Sequence, residues 1–192
     1  LSQLVDQVII MGYDFHTASS QTSGPVAPLR GSCQPSSVLE AIRNFTEPPR
    51  DGPSCYTDYD LTSSVRDHLK LIPKDKLILG VPFYGYEWTT ATTSLGAPVS
   101  GSGATAAFKR VFALTTSLTL LNQPFESALD PVSLTPYLIY RDKDQIKQIW
   151  FDDIQSLQLK RELVDSADLA GIAVWAWGYD DDLGSLWPAI AN

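Results

Sequence analysis

The sequence predicts an α/β fold in which a parallel sheet is covered by helices on both faces. Three short runs are apolar without polar alternation: Gln7 to Tyr13 around Val8-Ile9-Ile10, Lys76 to Tyr86 around Leu77-Ile78-Leu79-Gly80-Val81, and Ala170 to Trp177 around Gly171-Ile172-Ala173-Val174-Trp175. Uninterrupted apolar strands of this kind are buried on both faces. The segments between them carry helical spacing, and helices that join such strands build a parallel sheet. Each run ends in polar or aromatic residues: Tyr13-Asp14, then Tyr84-Gly85-Tyr86-Glu87-Trp88, then Trp175 through Asp182. Ligands of α/β sheets bind outside those carboxyl ends, so three strands aim an aromatic and acidic set at one face.

The elements follow in order. Leu1 to Asp6 reads as the tail of a helix, and residues 14–36 as a long loop punctuated by Gly24, Pro25, Pro28, Gly31 and Pro35. Ser36 or Ser37 caps a helix with apolar positions Val38, Leu39 and Ile42. A second loop covers 46–58. Leu61, Val65, Leu69 and Ile72 mark a helix face that Pro73 ends. Residues 89–103, rich in Thr, Ser and Gly, read as loop, and a helix follows around 104–115. Residues 118–151 carry β-branched and aromatic clusters and read as a small α+β insertion with antiparallel strands. A helix over Ser156 to Ser166 rests on Leu157, Leu159, Leu163 and Val164, and a short closing helix ends in Leu186 to Ile190.

Composition narrows the function classes. With 192 residues the chain fits one domain, or one with an elaboration. Its 44% hydrophobic and 19% charged residues exclude a disordered polymer. No apolar run reaches the roughly 18 residues of a membrane span. Fourteen basic against 22 acidic residues give a net charge of −8, which argues against nucleic acid and against anionic lipid as partners. Neutral sugars fit, and eight Tyr and five Trp suit them. Cys33 and Cys55 are either one disulfide of an exported protein or two unrelated thiols. His16 and His68 show no metal-ligand spacing, so neither a metal nor a cofactor is expected. Asn44-Phe45-Thr46 is a glycosylation sequon. The chain shows no signal peptide and no initiator Met at Leu1, which reads as a processed or cut piece.

Four segments carry a family resemblance. They are Met11-Gly12-Tyr13-Asp14, Leu79-Gly80-Val81-Pro82-Phe83-Tyr84-Gly85, Gly171 to Trp175, and Trp150-Phe151-Asp152-Asp153 followed by Ser156 and Lys160. In this order and spacing they resemble family 18 glycoside hydrolases, the chitinase family. The resemblance implies a partial TIM (β/α)8 barrel made of strands six to eight. Residues 1–88 and 149–192 would form the barrel segment, and 89–148 an α+β insertion between strand seven and its helix. It covers nearly the whole chain but only the last three-eighths of a barrel that needs roughly 250 residues.

The family's catalytic signature, Asp-x-x-Asp-x-Asp-x-Glu, belongs on strand four. None of the five glutamates here (Glu40, Glu47, Glu87, Glu126, Glu162) follows the required aspartates, and Asp58-Tyr59-Asp60-Leu61-Thr62 has Thr where Glu must stand. The proton donor is therefore absent from this chain. The resemblance gives the remaining residues roles in a retaining, substrate-assisted reaction, in which the substrate's own 2-acetamido oxygen attacks the anomeric carbon. Tyr13 would donate to the acetamido carbonyl, and Asp14 would hydrogen-bond the sugar. Met11 would pack beneath the subsite, Trp175 would form its floor, Tyr84 would line the groove and Trp88 would stack on a neighbouring sugar.

Structural roles compete with these. Tyr13 alone suits a half-buried core position, Asp14 a turn or cap, and Trp175 or Trp177 ordinary core. Strand alternation sends Trp175 and Trp177 to similar faces. Asp180, Asp181 and Asp182 read as a solvated cap of the last helix, and Glu87 as a surface residue. The expected whole is the substrate-binding, carboxyl-terminal part of a secreted or cell-envelope hydrolase of N-acetylglucosamine glycans, chitin-like or peptidoglycan-like. A non-catalytic, lectin-like protein is the alternative, and a self-sufficient interaction domain with open sheet edges the third reading. The expected partners are such a glycan and either the missing barrel strands or a second copy.

Overall fold

The computed structural model describes residues 4–31 and 59–191. The described residues form two sheets. The first is parallel: β1 (Val8–Met11), β2 (Leu77–Pro82) and β8 (Gly171–Trp175), in the order β1-β2-β8. The second is antiparallel and joins β3 (Tyr84–Thr90), β4 (Ala104–Ala107), β5 (Phe125–Leu129), β6 (Pro136–Asp142) and β7 (Gln145–Trp150) in the order β4-β3-β7-β6-β5. The described helices are α1 (Leu61–Leu69), α2 (Phe108–Leu120), α3 (Ile154–Ser166) and α4 (Trp187–Ile190), with a 3-10 turn at Lys74–Lys76.

Why the first sheet is parallel is visible in β2. Leu77, Leu79 and Val81 are fully buried, and a central strand enclosed in this way needs crossover helices rather than hairpins. Register pairs Ile10 with Leu79 and Met11 with Gly80 on one side, and Gly80 with Ala173 and Pro82 with Trp175 on the other. Just past β1 the backbones close up. Gly12 N donates to Gly80 O at 3.0 Å, and a Cβ on Gly12 would stand 2.5 Å from that oxygen. Only glycine fits there, and it delivers Tyr13 and Asp14 to the end of the sheet.

The chain changes sheets at Phe83. Phe83 N still donates to Trp175 O of the parallel sheet at 2.7 Å, while Phe83 O accepts from Phe108 N at 2.9 Å. The single strand expected over Lys76 to Tyr86 is thus two strands in two sheets. Gly85 lies so near β7 that a Cβ would stand 1.8 Å from Trp150 O. Tyr86 pairs with Trp150, which pairs with Tyr137 on its other side, and these rings help build a second core with Val26, Tyr84, Trp88 and Ile139. The main core runs between the sheets and the helices through Leu61, Val65, Leu79, Phe83, Leu138, Ile149, Leu157 and Leu163.

Capping residues explain two helix starts. Asp60 accepts from Ser63 N at 2.7 Å and from Gly31 N at 2.9 Å, tying α1 to the loop before it. Asp153 and Ser156 exchange side-chain and backbone bonds at the start of α3. Lys160 of α3 reaches back, fully buried, to donate to Asp152 Oδ1, which also accepts from Ser156 Oγ at 2.6 Å. Burial holds the Lys160 ammonium below its ordinary pKa and Asp152 above its own.

Several expected elements shift. Residues 4–6 are not helical. The helix placed around 104–115 is a strand over Ala104–Ala107 followed by a helix over Phe108–Leu120, because Ala104 to Ala107 pair with Tyr84 to Glu87. The last strand stops at Trp175. The antiparallel sheet runs from Tyr84 to Trp150, wider than 89–148. The helix after Ser36 or Ser37, Cys33, Cys55, the Asn44 sequon, Glu40, Glu47 and Asp58 lie outside the described residues. No helix among those described is long and apolar enough to cross a membrane.

Candidate functional site

Tyr13 and Asp14 leave β1 where the sheet ends. Asp14 adopts a left-handed backbone, φ 66°, which short polar side chains tolerate because they hydrogen-bond locally. Its Oδ1 accepts from the Tyr84 hydroxyl at 2.6 Å and from the Tyr86 hydroxyl at 3.1 Å. The carboxylate itself is exposed. Around it the phenol rings pack edge to face: Tyr13 on Tyr84 at 6.0 Å, Tyr84 on Tyr86 at 5.7 Å and Tyr84 on Tyr179 at 6.4 Å.

The electrostatics follow from that packing. Tyr84 is buried, and burial, together with its bond to Asp14, drives its hydroxyl far above the ordinary tyrosine value. Burial and the Asp14 charge also raise Tyr13 and Tyr86. All three phenols therefore stay protonated at neutral pH, and two of them, Tyr84 and Tyr86, donate to the one carboxylate.

Trp175 ends β8, paired with Pro82 at the end of β2. Its backbone is held by the Phe83 N bond, its peptide to Ala176 is cis, and its ring is 56% exposed. Met11, at the end of β1, is 72% exposed. Trp177 is past the strand, and its ring packs on Trp187 at 5.4 Å, so the strand alternation that would pair it with Trp175 does not reach it. Of the residues expected from the sequence, Tyr13, Asp14 and Tyr84 come together, and Trp175 and Met11 lie on the strand ends that flank β2.

Trp88 does not join them. It is 1% exposed, enclosed with Val26, Tyr84, Tyr137, Ile139 and Trp150, and a Cβ on Gly103 would stand 2.6 Å from its indole nitrogen. It has no free ring face to offer a sugar, because its place in the middle of β3, opposite Gln148, turns it into the second core. Glu87 is not a loose surface residue either. It accepts from the Tyr140 hydroxyl and, at 2.5 Å, from Arg110, on the face of β3 opposite Tyr86 and Trp88. Asp180 accepts from Trp187 Nε1 at 2.7 Å, and the buried Asp181 accepts from Ser185 N at 2.8 Å and Ser185 Oγ at 2.5 Å. These two aspartates fasten the loop to α4 rather than forming a solvated cap. Among the described residues no group of three acidic, His or Cys side chains is placed to hold a metal.

Tyr86 and Tyr179 fall in the strand-end segments that the sequence aims at this face, but it gives neither a role. For Tyr86 a signal was present: it stands two residues after Tyr84, and a strand returns to the same face every second residue. Tyr179 reaches Tyr84 from the loop after β8, and no strand periodicity singles it out there.

The fold is α/β, with parallel strands that end in an aromatic and acidic site. The chain belongs to the glycosyl hydrolases family 18, whose sequence profile matches residues 1–180. It is 26% identical over 189 residues to Chitotriosidase-1 of Mus musculus, covering 97% of this chain and 36% of that protein. It is 24% identical over 180 residues to the cortical fragment-lytic enzyme of Bacillus subtilis, covering 92% and 32%. Among solved structures, a plant class V chitinase mutant from Cycas revoluta, in complex with (GlcNAc)3, matches with a TM-score of 0.73 at 22% identity, covering 98% of this chain and 46% of that one. An immunomodulatory active chitinase from Trichuris suis matches with a TM-score of 0.71 at 27% identity, covering 96% and 46%. The chain spans about a third of the length of these two curated relatives.

Proposed function

We propose that this chain is the substrate-binding, carboxyl-terminal part of a family 18 hydrolase acting on β-1,4-linked N-acetylglucosamine glycans. The observation that carries the reading is the Asp14 carboxylate, exposed at the end of the parallel sheet and hydrogen-bonded by Tyr84 beside the Tyr13 ring. The names of the relatives support it, as does the (GlcNAc)3 bound by the cycad chitinase. On this reading β1, β2 and β8 are strands six to eight of a TIM barrel. The barrel segment is then 1–83 and 151–192, and the insertion, expected over 89–148, takes in the whole antiparallel sheet from Tyr84 to Trp150. The protein is exported to the cell envelope or beyond.

The chemistry divides between what this chain holds and what it lacks. Tyr13, kept protonated, donates to the acetamido carbonyl and turns the acetamido oxygen toward the anomeric carbon. That oxygen attacks, the glycosidic bond breaks, and a cyclic intermediate forms that water then opens with retention. Asp14 accepts from the acetamido N–H or a sugar hydroxyl through the oxygen that Tyr84 leaves open. The Trp175 indole lies under the pyranose C–H face, and Met11 packs beneath the same subsite. The leaving oxygen needs a proton from a carboxylic acid of raised pKa, and the sequence of this chain has no Asp-x-x-Asp-x-Asp-x-Glu to supply one. The partner that completes the site is the rest of the barrel. Taken alone, the chain fits the second reading, sugar binding without turnover.

Calorimetric titration with (GlcNAc)4 tests the proposal. Saturable binding that Tyr13→Phe weakens about tenfold, the worth of one buried hydrogen bond, is the expected result. No heat of binding, or binding of equal strength to a glucose tetramer, overturns it.

A further inference from the structure

We propose that Tyr86 is a positioning residue that acts through Asp14. The inference rests on the functional reading above for what Asp14 touches, but its geometry stands by itself. A single donor on a carboxylate oxygen fixes one distance and leaves the group free to swing about that bond. Asp14 Oδ1 has two donors, Tyr84 at 2.6 Å and Tyr86 at 3.1 Å. Two donors on different side chains restrain Oδ1 at two points and leave Oδ2, which has no partner among the described residues, for a ligand. The exposed, left-handed backbone of Asp14 supplies no such constraint.

The two phenols are not equivalent. Tyr84 is buried among Tyr13, Tyr86 and Tyr179, so its ring belongs to the core. Tyr86 is half-buried, with its ring on Trp88 at 5.8 Å and its hydroxyl at the surface beside Asp14. Removing that hydroxyl leaves the ring packing in place. Tyr86→Phe therefore separates positioning from structure, which Tyr84→Phe does less cleanly.

The experiment has two arms. Three-bond scalar couplings report the Asp14 χ1 rotamer in the full chain without ligand. One rotamer in the parent protein and averaging over two in Tyr86→Phe, at unchanged melting temperature, is the expected result. A single rotamer that persists in Tyr86→Phe, or averaging already present in the parent, overturns the proposal. The second arm is a calorimetric double-mutant cycle with (GlcNAc)4. Tyr86→Phe should weaken binding about tenfold in the parent and have no further effect in an Asp14→Ala background. An equal loss in both backgrounds overturns action through Asp14. If the parent chain binds no (GlcNAc)4, the proposed function fails, and the rotamer arm decides the role of Tyr86 alone.

Discussion

The Tyr84 hydroxyl and Asp14 Oδ1 lie 2.6 Å apart, although 70 residues separate them in sequence. The bond crosses from the end of one parallel strand to the first residue of the antiparallel sheet. It therefore couples the two sheets at the site, and it exists only because β1 and β2 pair in register and the chain turns at Phe83.

That coupling has a pH signature. Tyr84, Tyr13, Tyr86 and Tyr140 all hold their protons more tightly folded than unfolded, and Tyr137 is pushed up to about 12 by Glu126 and burial. A group whose folded pKa is raised stabilises the fold fully below its unfolded value and loses that contribution as pH rises. Stability should hold to about pH 10, the unfolded tyrosine value, and fall above it. His16 works at the other end. Burial lowers its pKa, so its contribution is present above about pH 6.5 and is lost as the unfolded chain protonates below that. Urea melts from pH 5 to 11, with phenolate absorbance followed in parallel, check both limbs. Phenolate that appears at pH 10 without loss of structure would contradict the first.

The tryptophans should separate into two kinds. Trp175→Ala should weaken (GlcNAc)4 binding by about tenfold, near the worth of one aromatic contact, and leave the melting temperature almost unchanged. Trp177→Ala should change binding less. Trp88→Ala should destabilise the protein by about 3–5 kcal/mol through the cavity it leaves, seen as a shift of the urea midpoint.

Lys160→Met leaves Asp152 buried without its counter-charge and should cost about 3–5 kcal/mol. The double variant Lys160→Met, Asp152→Leu should recover much of that loss, because the unpaired charge goes too. Denaturant melts of both variants give the comparison. A double variant no better than the single one would show that the pair contributes more than mutual compensation.

In the parallel sheet β1 and β8 are edges among the described residues, and Ile9 and Met11 on β1 are exposed. Unpaired apolar edges template pairing with other chains. The 192-residue chain should self-associate, with its mass by light scattering rising with concentration. A monomer at all concentrations would count against this.

The α/β class, the three parallel strands and the meeting of Tyr13, Asp14 and Tyr84 at their ends were legible in local pattern alone. Apolar runs without alternation mark strands buried on both faces, and Tyr13, Asp14, Tyr84 and Trp175 are tied by short local spacing to the ends of those runs. Three features depend on contacts between segments far apart in the chain. The strand over residues 76–86 divides at Phe83 because its two halves meet different partners, β8 and β4. Trp88 is core, not platform, because cross-strand register sets it opposite Gln148 and against Gly103. Asp14 is held by two donors because strands distant in sequence bring two phenols to one oxygen. Local pattern records which face of a strand is apolar, but what that face meets is fixed by pairing across tens of residues.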